Sequence, residues 1–453
     1  MKSDLRWINN RTTVVRRLIV GITFSASFLA LFSSPHFLRP PPTTTIMNND
    51  FFDFVTTPLN PCSLEVLPEP IELDEDGASI WLLMLACYEL QPDDTSRRGQ
   101  LDLYTPQVPN CLDDMHLSFG KPISILGGDS SKITSGILDG KWLVPSITDA
   151  GKILPKRWYY ATAHSSGEIL VHSIVKTSNE VDVKRNNKPF QIRLAGKTEI
   201  PDRRPALCLS LSWDVKSSNH DATRIVSSYS DGHVALHNVA LHDNGRVDIT
   251  SDESWLAHTM FGNPAEVWTC CFSRNDTNVV FSGGDEGAMK VWDIRARPIM
   301  RAQQTLKDFD AGITVLSPHP RKPHWIACGS YDETVAIYDL RYLPKPMARS
   351  EPWGGGIWRC KWHPYDDNRI LLGAMHGGCR VVQILERQVD GHRGVSSHSI
   401  EFHKEYEFIN HSSMTYGADW LVCKNPENPE LYLVEASASC SFYDRALYLW
   451  QTK

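Results

Sequence analysis

The chain has 453 residues, 42% hydrophobic and 22% charged, the composition of an ordinary globular protein and long enough for several small domains or one large repeat unit. A formal charge of −7 with no long Lys/Arg stripe excludes nonspecific nucleic-acid binding and suits a cationic or protein partner. The 11 cysteines are odd in number and form no Cys-x-x-Cys pair of metal spacing, so they read as reduced core thiols of a cytoplasmic protein, with no metal and no cofactor expected.

Residues 1–46 do not look like the rest. Arg11, Arg16 and Arg17 precede an apolar run from Leu18 to Phe32, and Pro40-Pro41-Pro42 follows. The layout fits a secretory signal or signal anchor, an organellar presequence, or an extension outside the working protein, with Met47 as its start. Membrane contact is expected only if the hydrophobic run is retained.

Residues 47–453 read as one repeat domain. Phe51 to Val55 is a strand expected to join the last sheet, because a chain finishing after Trp450 has no later strand to supply. Ile80 to Leu90 is a degenerate first hairpin, followed by a polar insertion from Gln91 to Gln100. Ala161 to His172 is a weak hairpin, and a polar insertion runs from Thr177 to Pro205. Ile225 to His237 is a clearer copy.

The clearest is Val279 to Arg295, where a β-rich run meets a Gly-Gly-Asp-Glu-Gly turn and a second run ends in Trp292-Asp293. Trp-Asp after a turn aspartate, with a histidine upstream, is the mark of a WD-repeat blade. Ile326 to Arg341 repeats it with Tyr338 in place of the tryptophan, and the turn aspartates Asp285 and Asp332 are 332 − 285 = 47 residues apart. Leu371 to Val382 and Ala438 to Trp450 complete seven copies. Candidate inner strands precede them at Ile137 to Trp142, Leu207 to Trp213, Val267 to Phe272, Ile313 to Leu316, Ile357 to Trp362 and Tyr416 to Trp420. The expected fold is all-β: a seven-bladed WD-repeat β-propeller behind a non-propeller N-terminal segment.

Between the last two copies, Glu386 to His411 reads as a solvated insertion, and the irregular spacing of His392, His398, His403 and His411 argues against a metal site. His258, Asp285, Ser282 and Trp292 are expected to hydrogen-bond in series as the structural network of a WD blade. His319-Pro320 and His363-Pro364 read as turn residues on the opposite face.

His376 occupies the turn position that Asp285 and Asp332 fill in the two preceding copies. It is either a turn residue without a role or a general base among carboxylates, with Asp332, Asp444, Ser441 and Tyr443 brought near by neighbouring blades. Trp268, Trp358 and Tyr416 begin three inner strands and line the expected channel mouth. Their rings either pack in the core or face a quaternary ammonium, which each attracts by about 0.5 to 2 kcal/mol.

The sequence lacks the Gly-x-Ser-x-Gly, His-Glu-x-x-His and Walker signatures. Gly-Ser-Tyr331-Asp332-Glu, Gly355-Gly-Ile-Trp-Arg-Cys-Lys-Trp-His-Pro364, Met375-His376, Tyr416-Gly-Ala-Asp-Trp420 and Cys440 to Trp450 resemble the WD-repeat diphthine methyl esterases of diphthamide biosynthesis. The resemblance covers Met47 to the C-terminus. It implies hydrolysis of the methyl ester of methylated diphthine on translation elongation factor 2.

That substrate carries a trimethylammonium beside the ester. The expected roles follow: Trp268, Trp358, Tyr416 and Tyr443 hold the cation, His376 oriented by Asp332 or Asp444 activates water, and Ser441 is an alternative nucleophile. The competing reading is a noncatalytic adaptor, since Val291-Trp-Asp-Ile-Arg295 and Ile337-Tyr-Asp-Leu-Arg341 resemble the WD-x-R box of propeller receptors in cullin ubiquitin ligases.

Overall fold

The computed structural model describes residues 51–72, 79–92, 96–108, 118–126, 134–144, 157–177, 189–199, 206–216, 222–390, 396–424, 428 and 432–451, so the expectations for residues 1–46 and for His392 lie outside the described residues. Regular structure among the described residues is entirely strand. Seven antiparallel sheets of at least four strands follow one another along the chain.

Blade one holds Asn60–Val66, Leu83–Leu90, Arg97–Tyr104 and Ile123–Leu126, and blade two Ile137–Leu143, Trp158–His164, Ile169–Lys176 and Phe190–Lys197. Blade three is Cys208–Trp213, Ala222–Tyr229, His233–Leu241 and Val247–Leu256. Blade four is Val267–Phe272, Val279–Gly284, Met289–Asp293 and Gln304–Leu306, and blade five Ile313–Pro318, Trp325–Ser330, Val335–Asp339 and Ala348–Arg349. Blade six is Arg359–Trp362, Arg369–Gly373, Cys379–Asp390 and Ser396–Phe408. Blade seven takes Thr415–Lys424, Tyr432–Ser441 and Ala446–Gln451 from the chain's end and Phe51–Thr56 from before blade one.

That last pairing closes the ring, with Val55 opposite Leu447 and Phe51 opposite Trp450. Packing closes it too. Each joint between neighbouring blades holds its own hydrophobic cluster, including one where blade seven meets blade one through Leu64, Leu83 and Leu85 against Leu421, Leu447 and Leu449. Strands buried on both faces between two sheets need continuous apolar character, which is why Leu83–Leu90 does not alternate. In Asn60–Val66 the buried Ser63 and Glu65 alternate with Cys62, Leu64 and Val66 and are bonded to Asp139 and to Lys141 and Lys361. Nine of the ten described cysteines are buried free thiols inside these sheets, and Cys423 is half-buried.

Four expectations are corrected. The first hairpin is Leu83–Leu90 with Arg97–Tyr104, so Arg97 to Gln100 belong to a strand rather than to an insertion, and Ile80 pairs elsewhere, with Ile71 and Gln107. Asn60–Val66 is an inner strand with no counterpart among the expected elements. The Thr177 to Pro205 insertion contains the outer strand of blade two, Phe190–Lys197. Glu386 to His411 is largely the two long outer strands of blade six, paired from Cys379 opposite Phe408 to Asp390 opposite Ser396. Outer strands with one solvated face carry polar residues, so their sequence imitates a loop.

In every blade the first strand starts on the face where the second strand ends, as the pairs Val267 with Gly284, Ile313 with Ser330 and Thr415 with Ser441 show. Inner-strand starts and the turns after second strands therefore share one face of the ring.

Candidate active site

That shared face is covered at its centre by aromatic rings. Trp268 of blade four lies 5.9 Å from Trp358 of blade six, centroid to centroid. Trp358 lies 5.1 Å from Tyr416 of blade seven, and Tyr416 5.4 Å from Phe442. Phe442 in turn touches Tyr443 and, from blade one, Tyr88, each at 5.0 Å. A contact between blades four and six skips blade five, so these rings span the channel mouth and floor it.

Tyr416 and Tyr88 are buried in this cluster with Cys62, Met375 and Phe442, while Trp358, Tyr331 and Tyr443 pack against it half-exposed. Burial first, and then the neighbouring Tyr331, push the Tyr443 hydroxyl above its ordinary pKa, so both phenols stay neutral donors at the mouth. Tyr88, Tyr331 and Phe442 are additions to the expected set. They sit at strand ends and in turns, where sequence gives no periodicity to read.

His376 stands on the rim of this floor. Its turn is tight: Met375 has φ of 33° and buries its side chain in the aromatic cluster, and His376, next along, is exposed. The turn rests on Gly354-Gly355-Gly356, the run that leads into Trp358. A Cβ on Gly355 would come within 2.9 Å of the His376 and Gly377 amide nitrogens, and one on Gly356 would meet the Tyr331 ring and the Met375 sulfur. Glycine is required at 355, and the close approach ties the backbone of the His376 turn to the run that leads into Trp358.

The carboxylates near the rim organise their own turns. Asp332 accepts from Thr334 and from the Asp310 amide and pairs with Arg349 at 2.6 Å. Asp444 accepts from the Ser412 amide and hydroxyl at 3.0 Å and from the Ser441 hydroxyl. Ser441 is wholly buried, which puts its Oγ out of reach of a solvent-borne ester.

The expected His258 network is redrawn by one residue. His258 Nδ1 bonds Glu286, not Asp285, at 2.7 Å; its Nε2 meets Ser282 Oγ at 2.6 Å, and Trp292 donates to the same oxygen at 2.8 Å. Burial lowers the His258 pKa, so the ring is neutral, and the network assigns its proton to Nδ1, facing Glu286. Glu286 has the extra methylene to reach across Gly284, where a Cβ would collide with both partners. Asp285, released from that duty, accepts from Trp268 Nε1 at 3.2 Å and so fixes the first ring of the floor.

Other histidines are structural as well. His411 bonds Ser439, which also accepts from Trp450. His319 and His363 accept backbone amides through Nδ1 within their turns on the opposite face, in keeping with the turn role expected of them. Arg295 and Arg341 of the two WD-x-R boxes fold back onto Asp293 and Asp339.

Beneath the floor the channel is charged. Lys141 bridges Glu65 and Asp139 at 2.6 and 2.9 Å, Lys361 bridges Glu65 and Asp419 at 2.5 and 3.3 Å, and Arg359 reaches Asp139 at 3.2 Å. Three acids face three bases, drawn from blades one, two, six and seven. Burial raises the Asp139 carboxyl, but Lys141 and Arg359 more than reverse this and hold it at about 2. Such a belt ties blades across the ring rather than offering a reactive group.

Comparison with known proteins adds a second line. A family model described as WD domain, G-beta repeat matches residues 254–293. A protein of Dictyostelium discoideum named diphthine methyltransferase homolog is 31% identical over 324 residues, covering 70% of this chain and 76% of that one. Diphthine methyltransferase of Homo sapiens is 29% identical over 352 residues, covering 74% and 69%. That of Saccharomyces cerevisiae is 24% identical over 451 residues, covering 90% and 99%.

Proposed function

The chain belongs to the diphthine methyltransferase family, and from that premise we propose that it removes the methyl ester from methylated diphthine on translation elongation factor 2 during diphthamide biosynthesis. The observation that carries the reading is the aromatic floor at the channel mouth, the half-exposed Trp268, Trp358 and Tyr443, with an exposed imidazole on its rim. Tyr416, expected to hold the cation as well, is buried and supports the floor from beneath. The substrate places a trimethylammonium next to the ester. Aromatic faces take up such a cation without forming a hydrogen bond, at about 0.5 to 2 kcal/mol per ring. Asp285, bonded to the Trp268 indole, supplies a negative charge beside them.

In this reading the floor holds the cation and presents the ester to His376. The imidazole takes a proton from water as its oxygen attacks the ester carbonyl carbon. The tetrahedral intermediate collapses with cleavage of the bond to the methoxy oxygen, and the imidazolium returns the proton to it, so methanol leaves and the new carboxylic acid gives its proton to solvent to become a carboxylate. Asp332 and Asp444 act by holding the turns on either side of His376. Activated water replaces Ser441 as the nucleophile because that hydroxyl is buried.

The test is mass spectrometry of elongation factor 2 treated with the purified protein, and of the same factor from cells that lack it. Loss of one methyl group in the first and accumulation of the methyl ester in the second are expected. Normal diphthamide in the deficient cells would reject the reading.

A further inference from the structure

The face that carries the aromatic floor has a projection of its own. Thr259–Met260 and Asn263–Pro264 pair as a short hairpin, closed at its neck where the Ala265 amide donates to the His258 carbonyl at 3.1 Å. It rises between the outer strand of blade three, which ends at Leu256, and the inner strand of blade four, which begins at Val267-Trp268. Two residues of strand lift its tip by roughly 7 Å.

The tip is Phe261. Its φ is 51°, that of Gly262 is 82°, and the phenyl side chain is 83% exposed. Two successive residues at positive φ make a turn that favours Asn, Asp or Gly, so phenylalanine strains the backbone there and also sets an apolar ring in water. Around Gly262 nothing lies within 4 Å of where a Cβ would stand. At the foot, Leu256 and Pro264 meet over Gly232, where an added Cβ would contact both, and both are exposed. The hairpin thus carries an apolar tip and an apolar foot, and the tip makes no contribution to the core of the ring.

We propose that this finger docks the protein that bears the substrate side chain: Phe261 enters an apolar recess of the modified translation factor while Leu256 and Pro264 cover the recess's edge. The proposal rests on the reading of function above. A protein that delivers one side chain into the mouth covers about 800 Å² of this face, a disc roughly 16 Å in radius. The neck of the finger, three residues from Trp268, stands within about 10 Å of chain from the floor and falls inside that disc.

The experiment uses Phe261→Asn, which keeps the turn with a residue suited to positive φ, so the variant folds; a thermal melt verifies this. Two substrates are compared, intact methylated elongation factor 2 and the free methylated diphthine amino acid. The variant is expected to raise KM for the intact factor about tenfold, as loss of an aromatic anchor does, and to leave turnover of the free amino acid unchanged. An unaltered KM for the intact factor, or an equal loss on both substrates, overturns the docking role. Should the wild-type protein hydrolyse neither substrate, the functional reading fails, and binding of intact methylated factor to wild-type and F261N then decides the docking role separately, with equal affinities overturning it.

Discussion

Glu286, one residue beyond the aspartate that a WD turn ordinarily uses, changes what two side chains do: it takes over His258 and leaves Asp285 to hold Trp268. Removing Glu286 strands a buried Nδ1–H, a cost of about 1 to 3 kcal/mol. Glu286→Ala is therefore expected to lower the melting temperature by several degrees, whereas Asp285→Asn, which still accepts from the indole, leaves it unchanged and weakens binding of the cationic substrate. Melts ranking the two variants the other way would return Asp285 to the structural network. His376→Ala, at an exposed position, should fold normally and lose at least about tenfold in ester hydrolysis, against the roughly hundredfold or more that a general base ordinarily supplies. Trp358→Leu should raise KM for the methylated factor more than it weakens binding of the unmodified factor; equal losses would count against a cation site. Trp268, Trp358 and Tyr416 were legible because they recur at one position of three inner strands. The Glu286 substitution was not, because a shift of one residue inside a five-residue turn alters no pattern and is decided only by side-chain reach.

At the scale of elements, hairpins were readable wherever two alternating runs met a Gly-Asp turn, as at Val279 to Asp293. Strands that lie between two sheets or on the rim were harder. Asn60–Val66 alternates over only the five residues Cys62 to Val66 after an Asn-Pro start, too short a run to stand out although both faces are buried, and Ser396–Phe408 is polar because its outer face is solvated. Closure by Phe51–Thr56 was inferable because a final sheet ending at Gln451 would otherwise be one strand short. Deleting Phe51–Thr56 bares the outward edge of Ala446–Gln451, an open template for intermolecular pairing. The deletion variant is expected to elute as aggregates and to melt several degrees lower. A monomeric elution and an unchanged melt would show that the seventh sheet does not need its fourth strand.

Histidines in several blades are held neutral by the fold. Burial lowers the pKa of His164, His319 and His411 to about 4 and of His172 and His363 to about 3. The sign follows from linkage: the unfolded chain protonates these rings below about pH 6.5 and the folded one does not, so stability is full above that value and falls as pH drops toward the folded values. Each ring accounts for about 1.4 kcal/mol per pH unit in that window. The five act in the same direction, while carboxyls that burial pushes up, such as Asp102 and Asp285, act in the opposite one. Tryptophan fluorescence is expected to report unfolding between about pH 4.5 and 6, before the Asp139 carboxyl, held at about 2, begins to titrate in the fold. A native signal persisting to pH 4 would mean that the rings find compensation on protonation.

The union of Phe51–Thr56 with Ala446–Gln451 also bears on how the protein is made. Nearly 400 residues must be translated between the two partners, about 20 to 80 s of ribosome time, and until then the nascent wheel has a gap with two unsatisfied rims. A chain cut short before Ala446–Gln451 therefore yields no smaller closed wheel, only an adhesive fragment, and the cell's protection of this chain has to last until that strand has been made.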